Sequence, residues 1–136
     1  MLRCKNNMKN ELVAKAREAM KSAYAPYSHF HVGAAVLTEE GQIFTGCNIE
    51  NSSYGATVCA ERTAIFKAVS EGHRRISAIA ICGGPEGVVE SPAFPCGICR
   101  QVMSEFGQAD MTVYVVDKDE VLEFTLGELL PHAFEL

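Results

Sequence analysis

Two short stretches decide the organisation of this chain, Cys59-Ala60-Glu61 and Pro95-Cys96-Gly97-Ile98-Cys99. Each stands where a loop is expected to lead into a helix. Three thiols can hold a zinc ion and leave its fourth tetrahedral position open for water. The carboxylate of Glu61, two residues from the first thiol, can reach that water without binding the metal. The two stretches therefore predict that two helix N-termini, each fed by a neighbouring strand, converge on one metal site.

Outward from these stretches, hydrophobic spacing predicts helices alternating with strands. The expected elements are a helix capped by Asn10, a hairpin of strands 32–38 and 42–49, a helix over about 57–71, a strand over 76–82, a helix over about 97–106, strands 111–116 and 121–125, and a helical turn at 127–130. This order indicates an α/β fold, a mixed five-stranded sheet with helices on its faces.

Length and charge limit the class of protein. A chain of 136 residues is expected to form a single domain, 1–136, in which residues 1–9 are a flexible extension. The net charge of −5 disfavours a nucleic-acid partner, because phosphate binding depends on lysine and arginine. No apolar run has the length of a secretory signal or a membrane span, so we expect a cytoplasmic protein with no membrane partner.

Other interpretations of the cysteines remain open at this point. A closed structural zinc site needs a fourth cysteine or histidine, and His29, His31, His73 and His132 lack ligand spacing to a cysteine. A Cys-x-x-Cys pair at a helix start is also typical of a redox dithiol. The remaining cysteines are expected to be free thiols in a reducing compartment: Cys4, Cys47 and Cys82.

Two charged residues beside Cys59 suit catalysis. Glu61 can move a proton from water to a ring nitrogen and later to a leaving amine. Three thiolates make zinc a weaker acid toward water, and Arg62, three residues past Cys59, is expected to withdraw charge from ligand sulfur.

The motifs resemble those of the cytidine deaminases, in particular their short, homotetrameric, zinc-dependent type. Besides the two cysteine stretches, the similar segments are Tyr24-Ala25-Pro26-Tyr27-Ser28-His29-Phe30, Gly46-Cys47-Asn48-Ile49-Glu50-Asn51, and Glu128-Leu129-Leu130-Pro131 before Phe134. The resemblance covers the chain from about residue 10 to its end. It implies a three-layer α/β/α sandwich.

The resemblance also implies roles for single residues. One Zn²⁺ per chain would be held by Cys59, Cys96 and Cys99, with Glu61 as the proton shuttle. The substrate contacts implied are Phe30 against the pyrimidine ring, Asn48 and Glu50 on the ribose hydroxyls, the Ala60 N–H on the base carbonyl, and Tyr54 and Phe134 reaching into a neighbouring subunit's site.

The implied function is hydrolytic deamination of cytidine and 2′-deoxycytidine in pyrimidine salvage, by a homotetramer with shared active sites. Two alternatives stay open: a blasticidin-S-type antibiotic nucleoside deaminase and a noncatalytic, zinc-stabilised binding protein. Release of ammonia from a cytosine nucleoside would separate the enzymes from the binding protein.

Overall fold

The computed structural model describes residues 2–136, in which helices and strands alternate. The elements are α1 (Leu2–Met20), β1 (Phe30–Thr38), β2 (Ile43–Cys47), a 3₁₀ turn (Tyr54–Ala56), α2 (Ala60–Ser70), β3 (Ile76–Pro85), α3 (Gly97–Phe106), β4 (Thr112–Asp117), β5 (Glu120–Thr125) and α4 (Leu126–Leu129). The strands form one sheet in the order β2-β1-β3-β4-β5. Strands β3 and β4 are parallel and all other neighbours antiparallel, which confirms the mixed five-stranded sheet.

Alternating side chains of the central strands build two hydrophobic cores, one on each face of the sheet. In β3, Ile79 and Ile81 belong to the core shared with α2 and α3. Their neighbours Ala78 and Ala80 belong to the core shared with α1, because successive side chains of a strand point to opposite faces. The result is the expected three-layer α/β/α sandwich.

A glycine brings α2 close to the sheet. A Cβ atom built on Gly46 in β2 would lie 2.4 Å from the backbone nitrogen of Ala64 and 2.7 Å from the carbonyl oxygen of Ala60. Any larger residue would push the helix outward, so Gly46 sets how near the start of α2 lies to the sheet.

The first helix begins earlier than the sequence pattern predicts. It starts by Leu2 and passes through Asn10, so residues 2–9 are helical where a flexible extension was expected, and Asn10 is not its cap. Residues 2–20 contain neither proline nor glycine, the two residues that most disfavour a helix. Met8 packs against the core that holds Leu12 and Ala16, which extends the buried stripe by one turn. Met1 lies outside the described residues.

The helix expected from about Thr57 starts three residues later, at Ala60. The β-branched residues Thr57 and Val58 lie outside the helix instead, and Val58 exchanges two backbone hydrogen bonds of 3.0 Å with Ile49. This pairing places Cys59, which follows Val58, next to the segment that carries Asn48 and Glu50.

Within residues 2–136, none of the helices combines the length and the apolar character needed to cross a membrane.

Candidate active site

Two cysteines occupy the positions immediately before two helices. Cys59 is the N-cap residue of α2 and Cys96 is the N-cap residue of α3, and both have extended backbone conformations. Neither side chain caps its own helix, so both sulfur atoms are available to a metal. Helix N-termini favour negative charge, which suits thiolate ligands.

The sulfur atoms of Cys59, Cys96 and Cys99 form a cluster with every pair within 4.8 Å, and no other group of three potential metal ligands lies this close in the described part of the chain. The sulfur atoms of Cys59 and Cys96 are 3.8 Å apart. Tetrahedral zinc with Zn–S bonds of about 2.3 Å separates its sulfur ligands by about 3.8 Å. The cluster therefore fits zinc with three protein ligands.

The pKa values of Cys59 and Cys99 also favour a bound cation. A hydrogen bond with Cys99, followed by Arg62 and Cys96, lowers the pKa of Cys59 to about 5 despite its partial burial. The same hydrogen bond, burial and the charges of Glu61 and Cys59 raise the pKa of Cys99. The protein by itself thus supports a negative charge on Cys59 and opposes one on Cys99, and a divalent ion would remove that conflict.

Arg62 lies one turn along α2 from Cys59 and donates a hydrogen bond from Nη2 to the Cys59 sulfur, at 3.3 Å. Its Nε atom is buried and lacks a hydrogen-bond partner among the described residues. The contact with Cys59 raises the pKa of Arg62, so the guanidinium stays charged beside the sulfur cluster.

Glu61 is one of two buried polar residues among residues 2–136, with 4% of its surface exposed. Burial, more than any other influence, raises the pKa of its carboxyl to about 7, and the charge of Cys59 acts in the same direction. A carboxyl with this pKa exchanges protons readily near neutral pH.

A cavity of about 300 Å³ opens beside these groups. Its lining is mostly apolar and carries the predicted residues Phe30, Asn48, Cys59, Ala60, Glu61 and Cys96. Ala60 is the first residue of α2, so its N–H has no acceptor within the helix and is free for a ligand. A second cavity of about 330 Å³ lies against the C-terminal tail but contains none of the three clustered thiols.

Asn48 ties the end of the hairpin to the start of β1. Its Nδ2 donates to the carbonyl oxygen of Phe30 at 2.7 Å, and its Oδ1 accepts from the N–H of Val32 at 2.9 Å. An amide nitrogen has two hydrogens, so one remains for a ligand. The ring of Phe30, 38% exposed, is held at the cavity by a backbone that Asn48 fixes.

Glu50 lines an adjoining cavity of about 450 Å³ together with Tyr27, Ser28, Tyr54 and Thr57. Thr57 also lines the cavity beside Glu61, so the two spaces are neighbours. Hydrogen bonds from the Tyr27–Ser28 turn hold the Glu50 carboxylate and, with the Ser28 hydroxyl first, lower its pKa.

The structure does not bring Phe134 to this site. Phe134 lies in the C-terminal tail, where its carbonyl accepts a hydrogen bond of 3.0 Å from Gln101, and its side chain is 67% exposed. Tyr54 stays beside Glu50 of its own chain, with its ring 6.1 Å from that of Tyr27, and is 78% exposed.

Sequence reasoning missed several residues that shape the site. Thr57 and Phe94 line the cavity, although neither belongs to a recognisable ligand pattern. Arg100 donates to the carbonyls of Pro95 and Leu129 at 2.7 and 2.6 Å and so holds the loop before Cys96. The position of Arg100 in the sequence could have identified it, because it directly follows the Cys96–Cys99 pair.

A three-layer α/β/α fold with three converging thiols, a buried carboxyl and an adjacent apolar cavity is the arrangement expected of a zinc-dependent hydrolase that acts on a small molecule. The family model described as the cytidine and deoxycytidylate deaminase zinc-binding region matches residues 6–116. The chain belongs to this family. The zinc-binding region of the family and the cluster of three thiols together confirm the prediction that the cofactor is zinc.

Comparisons with individual proteins support the same family. A cytidine deaminase of Sporosarcina psychrophila is 51% identical over 125 residues, covering 91% of this chain and 89% of the relative. The crystal structure of a cytidine deaminase from Burkholderia pseudomallei superposes with a TM-score of 0.85 at 45% identity, covering 92% of this chain and 98% of that one. A blasticidin-S deaminase of Bacillus cereus is 34% identical over 125 residues, covering 89% of this chain and 88% of its own.

Proposed function

We propose that this chain catalyses the hydrolytic deamination of cytidine and 2′-deoxycytidine to uridine and 2′-deoxyuridine, with release of ammonia. The observation that carries the proposal is the buried carboxyl of Glu61, which lies beside a three-sulfur cluster at a cavity of about 300 Å³. Family membership and relatives named cytidine deaminases support the choice of substrate.

Cys59, Cys96 and Cys99 are the residues that would hold zinc. Zinc, when bound, lowers the pKa of water and makes it a nucleophile at neutral pH. Arg62 donates to the Cys59 sulfur and withdraws negative charge from the cluster, which keeps the metal a stronger acid.

Glu61 moves the protons of the reaction. Its carboxylate accepts a proton from the attacking water and gives it to the ring nitrogen next to the attacked carbon. As the new C–O bond becomes a carbonyl, the same carboxyl carries the second proton to the amino group, the C–N bond breaks and ammonia leaves. A pKa of about 7 suits both directions of transfer.

The cavities accommodate the two halves of a nucleoside. Phe30 packs against the pyrimidine, and the Ala60 N–H donates to the base carbonyl. Asn48 and Glu50 bind the sugar hydroxyls, with one free amide hydrogen and an ionised carboxylate respectively. The adjoining cavities beside Glu61 and beside Glu50 support this division.

The working enzyme is proposed to be a homotetramer with shared active sites. Tyr54 and Phe134 expose 78% and 67% of their surfaces in the single chain, so both rings are available to contact a neighbouring subunit. We place the enzyme in the cytoplasm, because its three ligand thiols must stay reduced to bind zinc.

The test is ammonia release from cytidine by the purified protein after its zinc content has been measured. One zinc per chain with one ammonia released per uridine formed supports the proposal. Zinc without release from cytidine, but with release from blasticidin S, would favour the antibiotic deaminase. Zinc without release from either compound would favour the binding protein.

A further inference from the structure

The carboxylate of Glu50 is held by one turn of the chain. Its Oε1 accepts hydrogen bonds from the N–H groups of Tyr27 and Ser28, at 2.9 and 3.1 Å. Its Oε2 accepts a hydrogen bond of 2.5 Å from the hydroxyl of Ser28. Glu50 is half-buried, and both oxygens of its carboxylate are oriented by groups that come from residues 27 and 28.

The hydroxyl of Ser28 has two partners. While it donates to Glu50, it accepts a hydrogen bond of 3.1 Å from the N–H of Phe30. A serine hydroxyl has a single hydrogen, so donation to Glu50 fixes its rotation, and acceptance from Phe30 fixes the position of its oxygen. The N–H of Phe30, at the start of β1, thus fixes the Ser28 hydroxyl, and the Ser28 hydroxyl in turn orients the Glu50 carboxylate.

A carboxylate on the surface otherwise samples several rotamers, and fixing one of them on binding costs conformational entropy. Because residues 27 and 28 already hold the Glu50 carboxylate in one orientation, this entropy is lost when the protein folds and not when a ligand binds. Hydrogen bonding from Ser28 is also the largest influence that lowers the pKa of Glu50, which keeps the group an acceptor for neutral hydroxyls. The cavity lined by Ser28 and Glu50 is open to a ligand.

We infer that Ser28 is a positioning residue for sugar recognition, which acts by holding the Glu50 carboxylate in the orientation that receives the hydroxyls of the nucleoside. The inference rests on the proposed function and adds a residue that acts through the carboxylate of Glu50. A role confined to the backbone turn would instead act through Phe30 and affect every ligand alike.

The experiment compares ligands with and without the 2′- and 3′-hydroxyls of the sugar. The KM and kcat for cytidine and the inhibition constant of 2′,3′-dideoxycytidine against cytidine are measured for wild type, Ser28→Ala and Ser28→Thr. Ser28→Ala should raise KM for cytidine about tenfold with kcat within about twofold. The inhibition constant of the dideoxynucleoside should change less than about twofold, and Ser28→Thr should restore KM.

Ser70→Ala is the matched control, since Ser70 is an exposed serine whose hydroxyl bonds to a backbone carbonyl at the end of α2, and its KM should stay at the wild-type value. In Glu50→Ala, adding Ser28→Ala should cause no further loss. Equal losses for both ligands, additive losses in the double variant, or an unchanged KM in Ser28→Ala would overturn the inference. Partial misfolding of a variant would lower kcat without changing KM or the inhibition constant, so it cannot imitate the expected result. An inactive wild type would refute the proposed function rather than this inference.

Discussion

The Nη2 atom of Arg62 lies 3.3 Å from the sulfur of Cys59, so a permanent positive charge contacts one of the three clustered thiols. Both residues belong to the first turn of α2 or its cap, which keeps the distance independent of loop movements. This pair offers a direct way to separate metal binding from metal reactivity.

Replacing Arg62 with alanine should slow deamination by about ten- to a hundredfold, because the sulfur ligands would keep more of their charge and weaken the metal as an acid. Zinc content, measured by atomic emission, should remain close to one per chain. The matched control is Arg74→Ala, which removes an exposed arginine beyond the C-terminal end of α2. Loss of zinc in Arg62→Ala would assign the residue to holding the metal, and an unchanged rate would remove it from the mechanism.

Glu61→Gln should keep the zinc and the affinity for cytidine and lose about 10² to 10⁴-fold in turnover, since an amide of the same shape cannot carry protons. Single-turnover rates and a binding isotherm measure the two properties separately. Glu71→Gln, an exposed residue just beyond the same helix, is the control and should behave as wild type. Normal turnover by Glu61→Gln would refute the proton-shuttle assignment.

The raised pKa of Glu61 has a consequence for the stability of the zinc-free protein. The ordinary pKa of 4.5 rises to about 7 on folding, so the folded state holds this proton more tightly than the unfolded state does. The stabilisation is complete below about pH 4.5 and is lost as the pH rises through about 7. One pH unit corresponds to about 1.4 kcal/mol, and the loss across this window should be about 3 kcal/mol.

Urea unfolding of the metal-free protein between pH 5 and 8 measures this effect. The free energy of unfolding should fall with pH more steeply for wild type than for Glu61→Gln, in which the titrating group is absent. Parallel pH profiles for the two proteins would contradict the raised pKa.

Gly46→Ala should destabilise the protein by about 1–3 kcal/mol and weaken zinc binding, because its Cβ would meet the backbone of α2 next to Ala60 and Ala64. Thermal unfolding and a competition titration with a zinc chelator report the two effects. Gly55→Ala is the control, since a Cβ at Gly55 meets no atom within 4 Å. Equal effects of the two substitutions on zinc affinity would show that the contact with α2 does not position the metal ligands.

Much of the fold could be predicted from the sequence, because the starts of helices and the spacing of apolar residues depend on residues close together along the chain. Helix α3 has the predicted bounds, Gly97–Phe106, since a proline, a cysteine and an apolar spacing mark its start and its face. The start of α2 was misplaced because Val58 pairs across space with Ile49, a contact that helical spacing does not report. The start of α1 was misplaced because Met8 packs against the core, and because residues 2–7 continue the helix on the surface without proline or glycine to end it.

The sequence by itself determined the chemistry of this protein: three thiols at spacings that suit zinc, and a glutamate two residues from the first of them. Only the tertiary structure decided that Cys59 and Cys96 lie 3.8 Å apart, that Glu61 is buried, and that Ser28 holds Glu50. Spacing along a chain reports which groups share one turn or one strand face. Distances between groups on different elements, and the pKa values that depend on burial, arise from the packing of helices against the sheet.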